Sequence, residues 1–460
     1  MTLWWAQYAW IGGDHAAAGV LIETEGNRIT RVAPAVTTVP AEAKRLAGLT
    51  IPGLVNAHSH AFHRALRGRT QAERGSFWTW RERMYEVAGR LQPETYYRLA
   101  RATFAEMVLA GITSVGEFHY LHHDIDGVPY AEPTAMAEAI ARAAREAGIR
   151  LTLLDTCYLV GGFGRETGQS HVPLANVQRR FGDGTAAAWA ERATRTKERL
   201  TGESVRVGAA VHSVRAVPAD QLRTVADWAH RNEAPIHVHV SEQVAENDGC
   251  LRVYGTTPTE LLAAHGVLDR QATAVHATHL TDDDMGLLAA RSVSACFCAT
   301  TERDLADGIG PAAELVDRGV PLTFGSDSHA VIDLLEEARG VELDQRLSSH
   351  HRGHFGAADL LTAATANGAF SLGWADLGVL EAGSLADFVT IRLDSVRTAG
   401  FAEDTILETA VFAAGAADVA TVVVDGRTVV ENSRHTTIAD VPSELRHSIN
   451  AVTATEVSSA

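Results

Sequence analysis

Residues 205–240 read VRVGAAVHSVRAVPADQLRTVADWAHRNEAPIHVHV and contain one complete strand, helix and strand unit. The apolar, β-branched segments that end at Val211 and Val240 are typical of buried strands, and residues 218–232 between them have the periodicity of a helix. A helix that joins two such strands predicts a parallel sheet covered on both faces. This unit is the repeating element of the fold.

The same alternation continues in both directions along the chain. Eight apolar segments recur, and a stretch with helical periodicity separates each from the next. They end near His58, Phe118, Asp155, Val211, Val240, His276, Phe297 and Gly325. Eight such units predict an α/β protein whose residues 51–377 form a (β/α)8 TIM-like barrel, with the active site at the carboxyl ends of the strands.

The two ends of the 460-residue chain have a different pattern from the middle. Residues 1–50 and 378–440 contain short alternating segments with turns, such as the Asp425-Gly426 hairpin signal. They predict a small β-sandwich-like domain built from both termini. Residues 441–460 are rich in Ser, Thr and Ala, and we expect this tail to fray.

The overall charge excludes some partners. The chain has 40 Lys and Arg against 57 Asp and Glu, a net charge of −17, which repels nucleic acid and anionic membranes. No apolar run approaches the roughly 18 residues of a membrane span, and the first basic residue is Arg28, too late for a secretory signal. We therefore expect a cytoplasmic protein that acts on a small molecule, without nucleic acid or membrane partners.

Side chains that bind metals lie at four of the predicted strand ends. The first strand ends in VNAHSH, where a side-chain period of two places His58 and His60 on the same side. His239, His276 and Asp327 follow at the ends of the fifth, sixth and eighth strands. A lone histidine is more often a hydrogen-bonded core residue, but this convergence predicts a metal site. Imidazole and carboxylate ligands suit Zn²⁺ best, while Fe²⁺ and Mn²⁺ remain open.

This combination of residues resembles the deaminase branch of the amidohydrolase superfamily, along nearly the whole chain. The resemblance implies that His58, His60, His239 and Asp327 hold the metal. It also implies that Glu242, three residues after His239, shuttles a proton.

The same resemblance bears on the number of ions. Two-metal members of the superfamily usually bridge their ions with a lysine from the fourth strand. This chain has only Lys44, which precedes the barrel, and Lys197, which lies in a charged helical stretch. We therefore expect one divalent metal per chain, with Zn²⁺ as the ion that these ligands suit best.

A narrower resemblance, to the N-formimino-L-glutamate deiminase family, rests on four segments. They are residues 77–81 (FWTWR), 117–123 (EFHYLHH), 212–215 (HSVR) and 298–302 (CATTE). In that family the positions of Arg81, Tyr120, His212 and Arg215 hold the glutamate part of the substrate. His63 stands where the family has a Gln that contacts the formimino group. The resemblance also implies a homodimer.

The resemblance implies hydrolysis of N-formimino-L-glutamate to N-formyl-L-glutamate and ammonia, in histidine degradation. A bound Zn²⁺ lowers the pKa of water towards about 7. Asp327 then accepts a proton, Glu242 acts as general acid, and His276 polarises the tetrahedral centre. The alternatives are a deaminase of a purine, pyrimidine or triazine ring and a catalytically silent barrel scaffold. Arg81 and Arg215 favour a dicarboxylate substrate, because guanidinium groups bind carboxylates with two parallel hydrogen bonds.

Overall fold

The computed structural model describes residues 1–71, 77–164 and 169–454 of the chain. The strands in these ranges are β1 (Thr2–Ala9), β2 (Ala17–Glu25), β3 (Arg28–Ala33), β4 (Lys44–Pro52), β5 (Leu54–Ser59), β6 (Ile112–His119), β7 (Arg150–Cys157), β8 (Gly162–Phe163), β9 (His171–Val172), β10 (Val205–Val211), β11 (Ile236–Val240), β12 (Ala272–His276), β13 (Ser294–Phe297), β14 (Leu322–Phe324), β15 (Phe388–Ile391), β16 (Val419–Val424), β17 (Arg427–Glu431) and β18 (Arg434–His435).

The α-helices in the same ranges are α1 (Phe77–Arg90), α2 (Pro93–Leu109), α3 (Ala135–Ala147), α4 (Ala186–Leu200), α5 (Ala219–Arg231), α6 (Val244–Tyr254), α7 (Pro258–Ala264), α8 (Asp282–Ala290), α9 (Ala299–Leu305), α10 (Ala312–Asp317), α11 (Leu334–Ser349), α12 (Ala357–Thr362), α13 (Gly368–Ser371), α14 (Ile406–Phe412) and α15 (Val441–Thr453). Within the described residues, every helix is too short or too polar to cross a bilayer.

Eight parallel strands form the barrel, in the order β5, β6, β7, β10, β11, β12, β13 and β14. An isolated parallel bridge between Ser59 and Asp327 joins the last strand to the first and closes the barrel. Apart from Arg206, all residues of these strands are buried, as expected for strands that helices cover. The predicted TIM-like barrel is confirmed, and each predicted strand end lies within two residues of the observed one.

Both termini contribute to one mixed sheet of eight strands, in the order β18, β17, β16, β15, β4, β1, β2 and β3. Trp4, Ile22 and Phe388 belong to a separate apolar core of this sheet, whereas Ile51 of β4 joins the barrel core. Strand β4 passes from the core of the sheet to the core of the barrel at a bulge at Gly48, which has a φ of 118°. A Cβ atom there lies 2.1 Å from the carbonyl oxygen of Ile391, so only glycine fits.

A buried ion cluster joins the sheet to the bottom of the barrel. Arg150, the first residue of β7, donates from Nε to Asp387 Oδ2 at 3.1 Å and from Nη2 to Asp425 Oδ1 at 2.5 Å. The Arg150 and Asp387 side chains are fully buried. Because a buried charge is costly without a partner, this cluster holds the two parts of the protein in a fixed relation.

The expectation that the tail frays from residue 441 is wrong as far as Thr453. Residues 441–453 form helix α15, which packs against α2. Asp440 caps the helix by accepting a hydrogen bond from the backbone of Ser443, and Arg101 of α2 binds Glu444 at 3.0 Å. Val441, Leu445 and Val452 are buried, so apolar side chains on one helix face outweigh the polar composition. Residues 455–460 lie outside the described residues.

Candidate active site

Three histidines and one aspartate meet at the carboxyl ends of the barrel strands. His58 lies in β5, His60 directly after it, His239 in β11 and Asp327 just after β14. His58 Nε2 lies 3.1 Å from His239 Nε2, and the Nε2 atoms of His58 and His60 each lie 3.3 Å from Asp327 Oδ1. The structure thus brings the four predicted metal ligands together in an arrangement typical of a metal site.

Backbone hydrogen bonds fix the orientation of two of these rings. The Nδ1 atom of His60 lies 3.0 Å from the carbonyl oxygen of Phe118, and that of His239 lies 2.9 Å from the carbonyl oxygen of His212. A ring that donates its Nδ1 proton to a carbonyl turns the Nε2 lone pair to the opposite side. The Nε2 atom of His60 therefore faces Asp327, and that of His239 faces His58, so both point into the cluster.

The electrostatics of the cluster suit a divalent cation. Burial lowers the pKa of His58 to about 3 and also lowers the pKa values of His60 and His239, so the rings stay neutral. Burial acts to raise the pKa of Asp327, but its hydrogen bond and charge interaction with His58 hold it below the usual range. Neutral imidazoles and a carboxylate are the forms that bind metals. Tetrahedral Zn²⁺ places such ligand atoms about 3.3 Å apart, so the donor set fits that ion.

Several residues at the ends of these strands have left-handed backbone conformations. The φ angles are 52° at Ser241, 68° at His276, 48° at Ala277 and 40° at Asp327. None of these residues is glycine, and such conformations cost on the order of 1–3 kcal/mol each. They turn the chain sharply after β11, β12 and β14, where Glu242, His276 and Asp327 line the mouth of the barrel.

His276, at the end of β12, is held from behind by Glu302 of α9. Its Nδ1 atom lies 3.3 Å from Glu302 Oε1, and its Nε2 atom lies 3.9 Å from Asp327 Oδ2. Burial acts to lower the pKa of His276, but the hydrogen bond to Glu302 and the charges of Glu242 and Asp327 raise it to about 10. His276 is thus placed as a donor to negative charge that forms beside Asp327.

Cys298 lies next to this pair, and its backbone N–H donates to Glu302 at 2.8 Å. Its thiol is one of three groups, with His276 and Glu302, whose ligand atoms lie within 4.8 Å of one another. Cys296 and Cys298 are buried free thiols that pack in one apolar cluster.

A cavity of about 750 Å³ opens above the cluster of His58, His60, His239 and Asp327, which we call the metal-type cluster. All of the predicted site residues line it except His58, which is fully buried. Its other walls are mixed in character, and they include the aromatic side chains of Trp80, Tyr85, Tyr158, Phe163 and Phe181. The structure therefore gathers residues from sequence positions 60 to 327 around a single space.

Both predicted carboxylate-binding arginines line this cavity, but each already has protein partners. Arg81 of α1 donates from Nε to the Tyr85 hydroxyl at 2.6 Å. Arg215, in the loop after β10, donates from Nη2 to Glu242 at 2.9 Å. This ion pair joins a predicted carboxylate-binding residue, Arg215, to the predicted proton shuttle, Glu242, and the sequence did not predict it. The side chains of Phe77 and Trp78, in the segment before Arg81, lie outside the described residues.

The other predicted substrate residues form one aromatic group. The Nε2 atom of His63 lies 2.9 Å from the Tyr120 hydroxyl, and its ring centroid lies 4.5 Å from that of His60. The ring of His212 lies 4.4 Å from that of Tyr158, between centroids. Burial lowers the pKa values of His63 and His212 well below the usual range, so both act as neutral hydrogen-bonding groups.

Neither lysine reaches the cavity. Lys197 Nζ donates to the carbonyl and side-chain oxygens of Asn232, both at 3.0 Å, and Lys44 lies over the Trp4 ring in the small sheet. This placement agrees with the expectation of a single ion.

Sequence reasoning did not assign roles to Glu302 or Glu246, although both are buried beside site residues. Glu302 lies in residues 298–302, one of the four segments that resemble the N-formimino-L-glutamate deiminase family, so the sequence did contain a signal for it. Glu246 follows Glu242 by four residues, and nothing in the sequence distinguishes it from a solvated helix residue.

Comparisons with known proteins identify the family of the chain. The sequence profile of the Amidohydrolase family matches residues 49–429. A formimidoylglutamate deiminase of Pseudomonas aeruginosa is 39% identical over 85% of this chain and 87% of its own length. A 5-methylthioadenosine/S-adenosylhomocysteine deaminase of Pelotomaculum thermopropionicum is 30% identical over 83% of this chain and 81% of its own.

Among solved structures, an amidohydrolase from Brucella melitensis superposes with a TM-score of 0.89 at 32% identity, covering 99% of this chain and 100% of that one. The family match covers the barrel and most of the C-terminal part of the small sheet, and the superposition covers nearly the whole chain. The chain therefore belongs to the amidohydrolase family.

Proposed function

We propose that this protein hydrolyses N-formimino-L-glutamate to N-formyl-L-glutamate and ammonia, a step of histidine degradation. The observation that carries the proposal is the placement of Arg81 and Arg215 around the same cavity as the metal-type cluster. A substrate with two carboxylates needs cationic partners, and a protein of charge −17 has to provide them locally. The similarity to the Pseudomonas aeruginosa formimidoylglutamate deiminase supports the same substrate.

One divalent ion per chain, Zn²⁺ by ligand type, fits His58, His60, His239 and Asp327. When bound, the ion lowers the pKa of water and so supplies a nucleophile near neutral pH. The four side chains would hold the ion at the base of the cavity.

The acid and base steps fall to three residues at strand ends. The departing nitrogen gains both protons of the attacking water before it leaves as ammonia: Asp327 accepts these protons in turn, and Glu242 carries them to the nitrogen. His276, fixed by Glu302 at 3.3 Å, hydrogen-bonds the tetrahedral centre as negative charge develops on it. Water and the amidine thus become the N-formyl group and ammonia, and no proton is left over.

Five residues hold the rest of the substrate in this proposal. Arg81 and Arg215 bind the carboxylates, while His63, Tyr120 and His212 supply neutral hydrogen bonds from the wall of the cavity. His63 offers one donor and one acceptor nitrogen in place of a side-chain amide, and its Nε2 already engages Tyr120.

The second candidate function is deamination of a purine, pyrimidine or triazine ring. The aromatic walls at Trp80, Tyr85 and Tyr158 suit a flat ring, and a nucleoside deaminase is among the relatives. An inactive scaffold is disfavoured because all four metal-type side chains are present and assembled. Homodimer formation and a cytoplasmic location remain predictions.

An ammonia-release assay on the zinc-loaded protein tests the proposal. We expect turnover of N-formimino-L-glutamate and none of guanine or cytosine. Turnover of a ring substrate alone establishes the second candidate, and failure of the protein to take up zinc together with no activity establishes the scaffold.

A further inference from the structure

Arg215 lies between two acidic residues at the wall of the cavity. Its Nη2 atom donates to Glu242 Oε2 at 2.9 Å, and its Nε atom lies 3.4 Å from Glu246 Oε2. The side chains are 20%, 8% and 0% exposed for Arg215, Glu242 and Glu246 respectively. Arg215 and Glu242 are therefore the more exposed of the three on the cavity wall, and Glu246, which also lines the cavity, is the most deeply buried.

The pair of Arg215 and Glu242 connects two roles that are separate in the proposed reaction, namely carboxylate binding by Arg215 and proton transfer by Glu242. While Glu242 Oε2 accepts the N–H of Arg215, that oxygen is occupied and is not turned towards the substrate to exchange a proton. The same guanidinium is the partner proposed for a substrate carboxylate. Glu242 and the substrate thus compete for Arg215.

From this geometry we infer that a substrate carboxylate takes the place of Glu242 on Arg215 and thereby releases Glu242 to carry the proton. The inference rests on the proposed function and adds a link between substrate recognition and catalytic rate. Glu246 stays behind Arg215 and keeps the guanidinium in position when Glu242 leaves. Burial raises the pKa of Glu246 to about 7 against the opposing charge of Arg215, which eases the crowding of negative charge.

Because of this exchange, the enzyme discriminates between amidines with and without a carboxylate through kcat as well as through KM. An amidine without a carboxylate can occupy the metal end of the cavity but leaves Glu242 paired with Arg215. Its turnover is then slow even at saturation. A substrate with the carboxylate both binds more tightly and meets a shuttle that accepts a proton, because binding energy is used at the reacting centre.

N-propylformamidine, which has the reacting group and no carboxylate, provides the test. In the unmodified enzyme we expect added propionate to raise kcat for N-propylformamidine about tenfold, because the free carboxylate occupies Arg215. In Arg215→Met we expect kcat for N-propylformamidine to rise about tenfold without propionate and to be insensitive to it. The same substitution lowers kcat/KM for N-formimino-L-glutamate.

Arg252→Met is the matched control, since Arg252 lines the same cavity and donates to the carbonyl of Gly164 at 3.0 Å. It removes one positive charge and should leave the propionate effect intact. If propionate fails to activate the unmodified enzyme and Arg215→Met slows both amidines alike, the exchange is wrong. If the unmodified enzyme does not turn over N-formimino-L-glutamate but shows propionate activation, the proposed substrate fails and the exchange stands.

Discussion

Glu302 Oε1 lies 3.3 Å from His276 Nδ1, and the same oxygen accepts the backbone N–H of Cys298 at 2.8 Å. Both side chains are buried, so the imidazole has little freedom to rotate. Held at Nδ1, the ring presents Nε2 to the cavity beside Asp327. Glu302 therefore acts on the reaction through the orientation and charge of His276.

Replacing Glu302 with Gln keeps the volume and the acceptor for Cys298 but removes the negative charge. We expect kcat for N-formimino-L-glutamate to fall about tenfold with KM within about twofold, as for a lost charge-assisted hydrogen bond. Steady-state kinetics measures both constants. Glu337→Gln is the control, because Glu337 is also buried but bonds Thr300. Loss of bound metal in Glu302→Gln would contradict this role.

Metal content tests the cluster of His58, His60, His239 and Asp327. Purified protein should contain about one divalent ion per chain by elemental analysis, because no lysine is placed to bridge a second. His239→Ala should reduce the content to near zero, whereas His230→Ala, on helix α5, should not change it. Two tightly held ions, both required for activity, rule out the single-ion site.

Glu242→Gln separates proton transfer from metal binding. The amide keeps the size and hydrogen-bonding capacity of the carboxylate but cannot shuttle a proton. We expect kcat to fall by about 10²-fold or more with unchanged metal content. Kinetics and elemental analysis on the same preparation give both values. A variant that lost its ion would instead identify Glu242 as a ligand.

Arg81→Met tests the carboxylate clamp. Losing a charge-assisted contact in a desolvated site should cost roughly 2–4 kcal/mol in kcat/KM for N-formimino-L-glutamate. Arg83→Met on the same helix is the control, since Arg83 pairs with Glu86 in solvent. Formiminoglycine, which lacks the side-chain carboxylate, should be a poor substrate of the unmodified enzyme. Full activity of both Arg81→Met and Arg215→Met would favour a ring substrate.

Arg150→Met tests the junction between barrel and sheet. It leaves Asp387 buried without its cation, and removing one partner of such a pair costs about 3–5 kcal/mol of unfolding free energy. Arg28→Met, which breaks the exposed pair with Asp376, should cost at most about 1 kcal/mol. Urea denaturation compares the two variants. If both variants lose a similar amount of unfolding free energy, the Arg150 cluster does not stabilise the junction.

The metal-type cluster could be predicted because two simple regularities determine it. A period of two places His58 and His60 together, and the barrel brings the carboxyl ends of its strands to one mouth. The pair of Arg215 and Glu242 could not be predicted, because it depends on the shapes of two loops after different strands. Helix α15 was missed for a related reason, since composition carries no information about packing against α2.

The pairing of β4 between β1 and β15 has a consequence for synthesis of the chain. Ile51 pairs with Val389 and Pro52 with Phe388, so one edge of β4 stays open until the ribosome reaches residue 388. At about 5–20 residues per second, that interval lasts roughly 20–70 s. An apolar strand with an open edge is a template for association with other chains. Nascent or prematurely terminated chains that end before Phe388 should therefore aggregate and depend on chaperones, whereas the finished chain closes this edge.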